Sequence, residues 1–241
     1  MNRRCVIIPA FNEQENIGAV VIGVKNNTDA DIIVIDDGSA DQTADKAREA
    51  GAFVIRHPFN MGYGTALQTG YKYAAERKYD FLLQLDGDGQ HDPLCIPDFF
   101  NLMESGRYDV IIGSRFLGKN HYDAGVLKSL GIGLFRFIIL VVTGREITDP
   151  TSGYQCLSGR VFRFFTDDMF PCDYPDADII IMLHSAGFAI REIPVWMRKN
   201  SSGRSMHKGV FTLAYYFFKI FLSIFIVLIR DESYYQKEAA K

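Results

Sequence analysis

The stretch Leu83-Gln84-Leu85-Asp86-Gly87-Asp88-Gly89-Gln90-His91-Asp92-Pro93 decides both the fold and the chemistry. The residues before it, Tyr79-Asp80-Phe81-Leu82, lead an apolar run into the carboxylates. That run predicts a buried parallel strand, closed by Gly87, Gly89 and Pro93. Asp86 and Asp88 then stand at the carboxyl end of a central strand, where open α/β sheets bind their ligands. Two carboxylates one residue apart, with Gln90 nearby, form an all-oxygen donor set. Such a set suits Mg²⁺ or Mn²⁺ gripping a diphosphate. A lone Asp-x-Asp among glycines is more often a plain surface turn, so the rest of the chain must decide.

Working outward, strand and helix patterns alternate. Strands are expected at Arg4 to Pro9, Asp31 to Ile35, Ala52 to Arg56, Phe81 to Leu85 and Asp109 to Ile112. Helices are expected from a cap at Asn12 to about Lys25, from Asp41 to Ala50, Thr65 to Arg77 and Pro93 to Glu104. Ser39 or Asp41 is the expected cap of the second. The alternation predicts a parallel sheet covered by helices. After Arg115 the pattern changes. Gly118 to Asp123 reads as polar loop, Val126 to Thr143 as an apolar helix, and Asp149 to Tyr154 as a turn-rich loop. A helix starting near Tyr174 and a strand over Phe188 to Val195 follow. Arg198 to His207 is polar and Ser/Gly-rich, Val210 to Ile229 is apolar, and the tail is charged.

The 241 residues are 48% hydrophobic and 23% charged, a globular balance. A net charge of −3 offers no basic field for nucleic acid. Cys5, Cys95, Cys156 and Cys172 show no CxxC spacing, which fits reduced thiols better than disulfides or zinc. The apolar run from Cys5 to Ala10 is too short for a signal peptide, so the catalytic part is expected to face the cytoplasm.

Six motifs stand in register: Pro9-Ala10-Phe11-Asn12-Glu13, Asp36-Asp37-Gly38-Ser39-Ala40-Asp41-Gln42-Thr43, Asn60-Met61-Gly62-Tyr63-Gly64, Gln84 to His91, Gly113-Ser114-Arg115, and Asp149 to Gln155. Together they resemble the family 2 glycosyltransferases, and within them the dolichyl- and polyprenyl-phosphate sugar transferases. The resemblance runs from Val6 to about Ser205. It implies an α/β GT-A fold over residues 1–207, with 125–144 as an interfacial apolar helix. Residues 208–241 would form an apolar membrane-associating helix and a charged tail. It also implies that Pro9, Ala10, Asn12, Glu13, Asp36, Asp37, Gly62, Gly64, Asp86, Gly87 and Asp88 line the nucleotide-sugar pocket. Asp86, Asp88 and Gln90 would hold Mg²⁺ or Mn²⁺. Ser39 and Asp41 are also readable as helix caps, and Gly62 and Gly64 as a tight turn.

Transfer from a nucleotide sugar needs a neutralised leaving group, an aligned acceptor and exclusion of water. A lipid phosphate acceptor is already anionic and calls for a cation rather than a base. Arg115 is the first candidate, with Lys128 and Arg136 beside it on an apolar helix; snorkelling to a surface is the alternative for those two. A saccharide hydroxyl acceptor would need a carboxylate base, and Asp176 or Asp178 could serve as base, sugar contact or helix-start carboxylate. The family's lid pattern R-x-x-G-x-S is met by Gly203 and Ser205, but Asn200 stands in place of its arginine; Arg198 or Arg204 could substitute. With Asp88, Arg115, Asp176 and Asp178 as candidate catalytic residues, the expected reaction is inverting, metal-dependent sugar transfer to polyprenyl phosphate. Its place is the cytoplasmic membrane face, with the membrane surface and a membrane protein as further expected partners. Transfer to a saccharide hydroxyl in cell-envelope glycan synthesis is the alternative. A nucleotidyltransferase would carry a Gly-rich basic loop after the first strand, and Pro9 to Asn12 has none. A silent binding subunit would not need the intact Asp86, Asp88 and Gln90. Val210 to Ile229 is long enough to span a bilayer, but Lys219 at its centre favours a helix lying in the interface.

Overall fold

A computed structural model describes residues 2–118, 126–171, 175–198, 210–230 and 232–240. Seven strands form one sheet: β1 (Arg4–Ala10), β2 (Asp31–Asp36), β3 (Phe53–Arg56), β4 (Phe81–Gln84), β5 (Val110–Ser114), β6 (Gln155–Ser158) and β7 (Ile190–Pro194). Their order is β3-β2-β1-β4-β6-β5-β7. All pairings are parallel except those of β6, which runs antiparallel to both β4 and β5. The helices are α1 (Ile17–Lys25), α2 (Thr43–Glu49), α3 (Tyr63–Glu76), α4 (Ile96–Glu104), α5 (Val126–Thr143), α6 (Gly159–Phe164), α7 (Ala177–Ser185), α8 (Val210–Ile229) and α9 (Glu232–Ala239).

Alternation along β1 shows why the sheet is covered on both faces. Cys5 and Ile7 point into one apolar cluster, with Ala66, Leu67 and Tyr71 of α3 and the residues of α5 to α9. Val6 and Ile8 point into the other, with Ile17, Val20 and Val21 of α1, Ala47 of α2 and Phe99 and Phe100 of α4. Cys5, Cys95 and Cys156 are buried free thiols, as their spacing suggested, and Cys172 lies outside the described residues.

The expected strands and helices are found, with shifted ends and two corrections. Asn12 does not cap a helix. It sits at φ 55°, in the left-handed region, and α1 begins beyond it, after Asn16. Its side-chain oxygen instead accepts from Ala40 N (2.9 Å), while its own N–H donates to Ser39 Oγ (2.9 Å). Neither Ser39 nor Asp41 is the residue preceding α2, but Asp41 still accepts from Thr43 N (3.0 Å), so it organises that helix's entry.

The second correction concerns α8. Ile220, Ile224 and Val227 recur at helical spacing and are buried in the same core as α7, as is Tyr235 of α9. Helix α8 therefore shares one apolar cluster with α3 and α5 to α7. On its other side α8 exposes Phe218, Leu222, Phe225 and Ile229. Helix α5 exposes Leu130, Leu134, Phe137 and Val141 with the same 4-3-4 spacing. Both helices pack on α7, which lies between them and is buried from Ala177 to Leu183. Among the described residues no helix is long and apolar enough to cross a membrane.

Candidate active site

The site is built from loops at the carboxyl ends of β1, β2, β4 and β5. The β1 and β2 loops are laced together. Glu13 N donates to Thr43 Oγ1 (2.8 Å) and Gln14 N to Asp41 Oδ2 (3.3 Å), beside the Asn12 contacts. Asp36 and Asp37, expected at the nucleotide pocket, are both buried. Asp36 Oδ1 accepts from Ser39 N (3.1 Å), and its Oδ2 faces Arg56 Nε at 3.1 Å as an ion pair without hydrogen-bond geometry. Asp37 accepts from Met61 N (2.8 Å), Gly62 N (2.9 Å) and the His57 ring (2.7 Å), whose other nitrogen meets Thr69 Oγ1 (2.9 Å). Asp37 thus fixes the loop leading into α3. Gly38 (φ +72°) lets that loop close, because a Cβ there would lie 2.4 Å from the Phe59 carbonyl carbon.

Asp86 is held from several sides. Tyr63, at the start of α3, donates its hydroxyl to Asp86 Oδ1 (2.8 Å). Asp86 N donates to His91 Nδ1 (3.0 Å), which places the proton of the neutral ring on Nε2, 3.9 Å from Asp86 Oδ2. Burial lowers the His91 pKa to about 4, so the ring stays neutral near pH 7; it stacks on Tyr154 with centroids 4.8 Å apart. Gly153 closes a further side: a Cβ there would stand 3.0 Å from both Asp86 Oδ2 and the Tyr63 hydroxyl. Gly87 lies against Pro9 O (3.2 Å from an added Cβ) and the Ala10 side chain, joining the first motif to the carboxylate turn.

Asp88 accepts from Gln90 N (2.9 Å) and from Gln90 Nε2, which leaves the Gln90 carbonyl oxygen as its available donor atom. Burial raises the pKa of both Asp86 and Asp88 above the ordinary carboxylate range; for Asp88 the neighbouring Asp86 charge adds to it. A divalent cation would remove that penalty. Among the described residues no three His, Cys, Asp or Glu side chains gather as a closed metal cage. Two carboxylates and an amide oxygen instead leave part of a cation's shell to other oxygens, the donor set that Mg²⁺ or Mn²⁺ accepts. These residues therefore fit a divalent cation of the Mg²⁺ or Mn²⁺ kind.

Arg115 follows β5 and is 8% exposed. Its guanidinium forks onto Asp149 (Nε to Oδ2 and Nη2 to Oδ1, both 2.6 Å) and reaches Thr151 Oγ1 (2.7 Å). Its fork thus grips the Asp149–Tyr154 loop. The charge of Arg115 nonetheless still acts on Asp86. Phe116 carries a second guanidinium, that of Arg136 on α5, 4.5 Å from its ring centroid. Arg136 Nε and Nη2 are shielded from solvent and meet no hydrogen-bond partner among the described residues.

The two later carboxylates diverge. Asp176 is the residue immediately before α7. Asp178 is fully buried; it accepts from Asp176 N and Ile179 N (both 2.9 Å) and from the Ser223 hydroxyl of α8. It is a first-turn carboxylate of α7, enclosed between its own helix start and α8. The Arg198 guanidinium bonds Asp92 Oδ1 (3.0 Å), and its backbone N–H donates to Gln90 O (2.7 Å), next to the carboxylate turn. Arg204, Ser205 and the Lys128 side chain lie outside the described residues. Sequence reasoning missed Tyr63, His57, His91 and Asp149. All but His57 stood inside the quoted motifs, but only three-dimensional contact gives them partners.

Comparison with known proteins places this geometry. The family model described as Glycosyl transferase family 2 matches residues 5–168. The UDP-N-acetylglucosamine–dolichyl-phosphate N-acetylglucosaminyltransferase of Methanococcus voltae is 27% identical, over 79% of this chain and 83% of its own. The undecaprenyl-phosphate mannosyltransferase of Micrococcus luteus is 27% identical, over 86% of this chain and 88% of its own. Glucosyl-3-phosphoglycerate synthase of Mycobacterium tuberculosis, solved with Mn²⁺ and UDP-glucose, superposes with a TM-score of 0.71. It is 20% identical, covers 95% of this chain and 80% of its own, and shares the fold.

Proposed function

The chain belongs to glycosyl transferase family 2, and from that premise we propose that it moves a sugar from a nucleotide sugar to a polyprenyl phosphate at a membrane surface. The observation that carries the acceptor reading is Arg136. Its shielded Nε–H and Nη2–H have no partner among the described residues, and an unmet buried donor is costly. An anionic oxygen is the partner that would satisfy both, since a guanidinium offers a planar fork to phosphate. Arg115, anchored by Asp149, also lies near that Phe116 ring, 5.8 Å from its centroid.

Asp86, Asp88 and the Gln90 oxygen would hold Mg²⁺ or Mn²⁺, which supplies charge neutralisation to the leaving diphosphate. The remaining work falls to side chains. The laced β1 and β2 loops, with Pro9, Ala10, Asn12, Glu13 and the Asp36–Asp37 turn, shape the donor pocket; Gly62 and Gly64 bring the α3 entry close to it. Arg198, tied to Asp92 at its edge, is the lid residue of this reading. Arg136 and Arg115 orient the acceptor phosphate. A phosphate monoester brings its own anionic nucleophile, so no side chain needs to take its proton, and inversion at the anomeric carbon follows from in-line attack. The relatives named as dolichyl-phosphate and undecaprenyl-phosphate transferases agree with this acceptor class.

The exposed apolar rows of α5 and α8 support seating at a bilayer interface. Each helix turns one face to the core and one outward, the arrangement of a helix lying in the interface rather than crossing it. Buried reduced cysteines suit the cytoplasmic face. A second reading, transfer to a saccharide hydroxyl, rests on Asp176, the carboxylate that directly precedes α7. The deciding experiment offers UDP- and GDP-sugars with Mn²⁺ to the full chain beside polyprenyl phosphate or free saccharide. Product on the lipid phosphate, retained in Asp176→Asn, supports the first reading. Product on the saccharide alone, lost in Asp176→Asn, establishes the second.

A further inference from the structure

We infer that Tyr63 sets which cation the carboxylate turn accepts, by keeping Asp86 to a single metal-facing oxygen. The inference rests on the reading of Asp86 and Asp88 as cation ligands. The Tyr63 hydroxyl donates to Asp86 Oδ1 at 2.8 Å. That contact is enclosed: an added Cβ at Gly153 would touch the hydroxyl and Asp86 Oδ2 at 3.0 Å and Oδ1 at 3.1 Å. Asp86 N is fixed on His91 Nδ1, so the backbone does not swing to present the carboxylate differently. With Oδ1 engaged by a donor proton, Oδ2 is the oxygen left with its full donor capacity.

The chemistry of the cations then separates them. Mg²⁺ and Mn²⁺ take near-octahedral shells in which each carboxylate gives one oxygen. Ca²⁺ has a larger, looser shell and readily takes both oxygens of a carboxylate. A hydroxyl bonded to Oδ1 disfavours that chelating mode while leaving the one-oxygen mode intact. Tyr63 also orients the ligand, as hydrogen-bond partners of metal ligands do generally. Its hydroxyl acts through Asp86 Oδ1, so it is a positioning and selectivity residue. Phenylalanine at this position would keep the ring and its packing while removing only the proton donor.

The test uses the full chain and the cations alone. Free Mn²⁺ is counted from its electron paramagnetic resonance signal, and Ca²⁺ affinity is read by competition against bound Mn²⁺. For Tyr63→Phe we expect the Ca²⁺-to-Mn²⁺ affinity ratio to rise about tenfold over wild type. An unchanged ratio in folded Tyr63→Phe, with Mn²⁺ binding lost in Asp86→Asn, overturns the selectivity role and leaves the cation site standing. Mn²⁺ binding that survives Asp86→Asn overturns the cation reading itself, and the inference with it. Should Tyr63→Phe not fold, Tyr63→Leu, which also removes the hydroxyl, decides in its place: no shift there overturns the role.

Discussion

Arg115 and Asp149 form a buried, two-pronged ion pair, 34 residues apart in sequence, that ties the end of β5 to the Asp149–Tyr154 loop. Asp149 is fully buried and in turn receives Arg115 N (2.9 Å), while Glu192 of β7 accepts from Asp149 N (2.8 Å). Three segments therefore meet at one residue, Arg115 on its carboxylate and Glu192 on its backbone N–H. That arrangement positions Gly153 against Asp86, so the pair belongs to the geometry of the carboxylate turn as well as to stability.

Breaking such a pair from one side strands a buried charge. Asp149→Leu or Arg115→Met should each cost about 3–5 kcal/mol of unfolding free energy. The double variant Arg115→Met with Asp149→Leu should cost clearly less than the sum of the two, because neither charge is left alone. Urea unfolding of the four proteins measures the coupling. Additive losses would mean that the contact contributes nothing beyond its separate ends. Acceptor KM in the double variant then reports what Arg115 does for the substrate, free of the stability effect.

Asp178 gives a pH-dependent prediction. Burial raises its pKa, so the folded state favours the protonated acid relative to the unfolded chain. Its favourable share of stability is present below the ordinary carboxylate pKa and is lost as pH rises through the raised folded value. Asparagine keeps the shape: its carbonyl accepts the two N–H groups of Asp176 and Ile179, and its amide donates to the Ser223 oxygen. Asp178→Asn should therefore gain stability relative to wild type as pH is raised from about 4 to about 8, with sugar transfer retained. Melting temperatures of both proteins across that range test it. A difference that does not change with pH would remove the buried-acid assignment, and loss of transfer in a stable variant would return Asp178 to the catalytic set.

The fold was legible because buried parallel strands announce themselves as apolar runs and their helices as periodic ones. Ile33, Val34 and Ile35 in β2, and Ile111 and Ile112 in β5, are buried, as such runs require. The gaps have physical causes. Strand β6 is four residues long, Gln155-Cys156-Leu157-Ser158, and runs against its neighbours; nothing so short and mixed carries a period. Asn12 looked like a cap by residue type, but its oxygen serves a neighbouring loop 28 residues on. Within the site, the carboxylates were visible and their holders were not. Tyr63 lies 23 residues from Asp86, and no local pattern links a helix-entry tyrosine to a strand-end aspartate.

Arg136 should trade stability for function. Its Nε and Nη2 are shielded and unpartnered among the described residues, so the free enzyme carries the penalty of unmet donors. Arg136→Met keeps a long apolar stem beside Phe116 and removes them. It should raise stability by about 1–3 kcal/mol and raise the acceptor KM, with donor affinity unchanged. Thermal unfolding and acceptor-dependent kinetics are read on the same preparation. A destabilised variant with normal acceptor use would make Arg136 a packing residue of α5 and take away the main support for a phosphate acceptor.

The two faces of α8 should respond oppositely to substitution. Phe218, Leu222 and Phe225 are exposed, so replacing them with serine leaves the core untouched. Their transfer into the acyl boundary supplies binding in proportion to the apolar area buried there, as does the matching row Leu130, Leu134 and Phe137 on α5. The triple variant Phe218→Ser, Leu222→Ser, Phe225→Ser should keep its melting temperature and donor affinity but lose most sedimentation with lipid vesicles. Lipid-acceptor turnover should fall with it. Ile224→Ala does the reverse: it opens a cavity against α7 and should cost about 2–5 kcal/mol, while the outward row remains able to bind vesicles. Vesicle co-sedimentation and unfolding curves of both variants separate the faces. If the triple-serine protein still binds vesicles as wild type does, the apolar rows are not the membrane contact. If it unfolds, those side chains belong to a protein interface that the exposed rows of α5 and α8 would share.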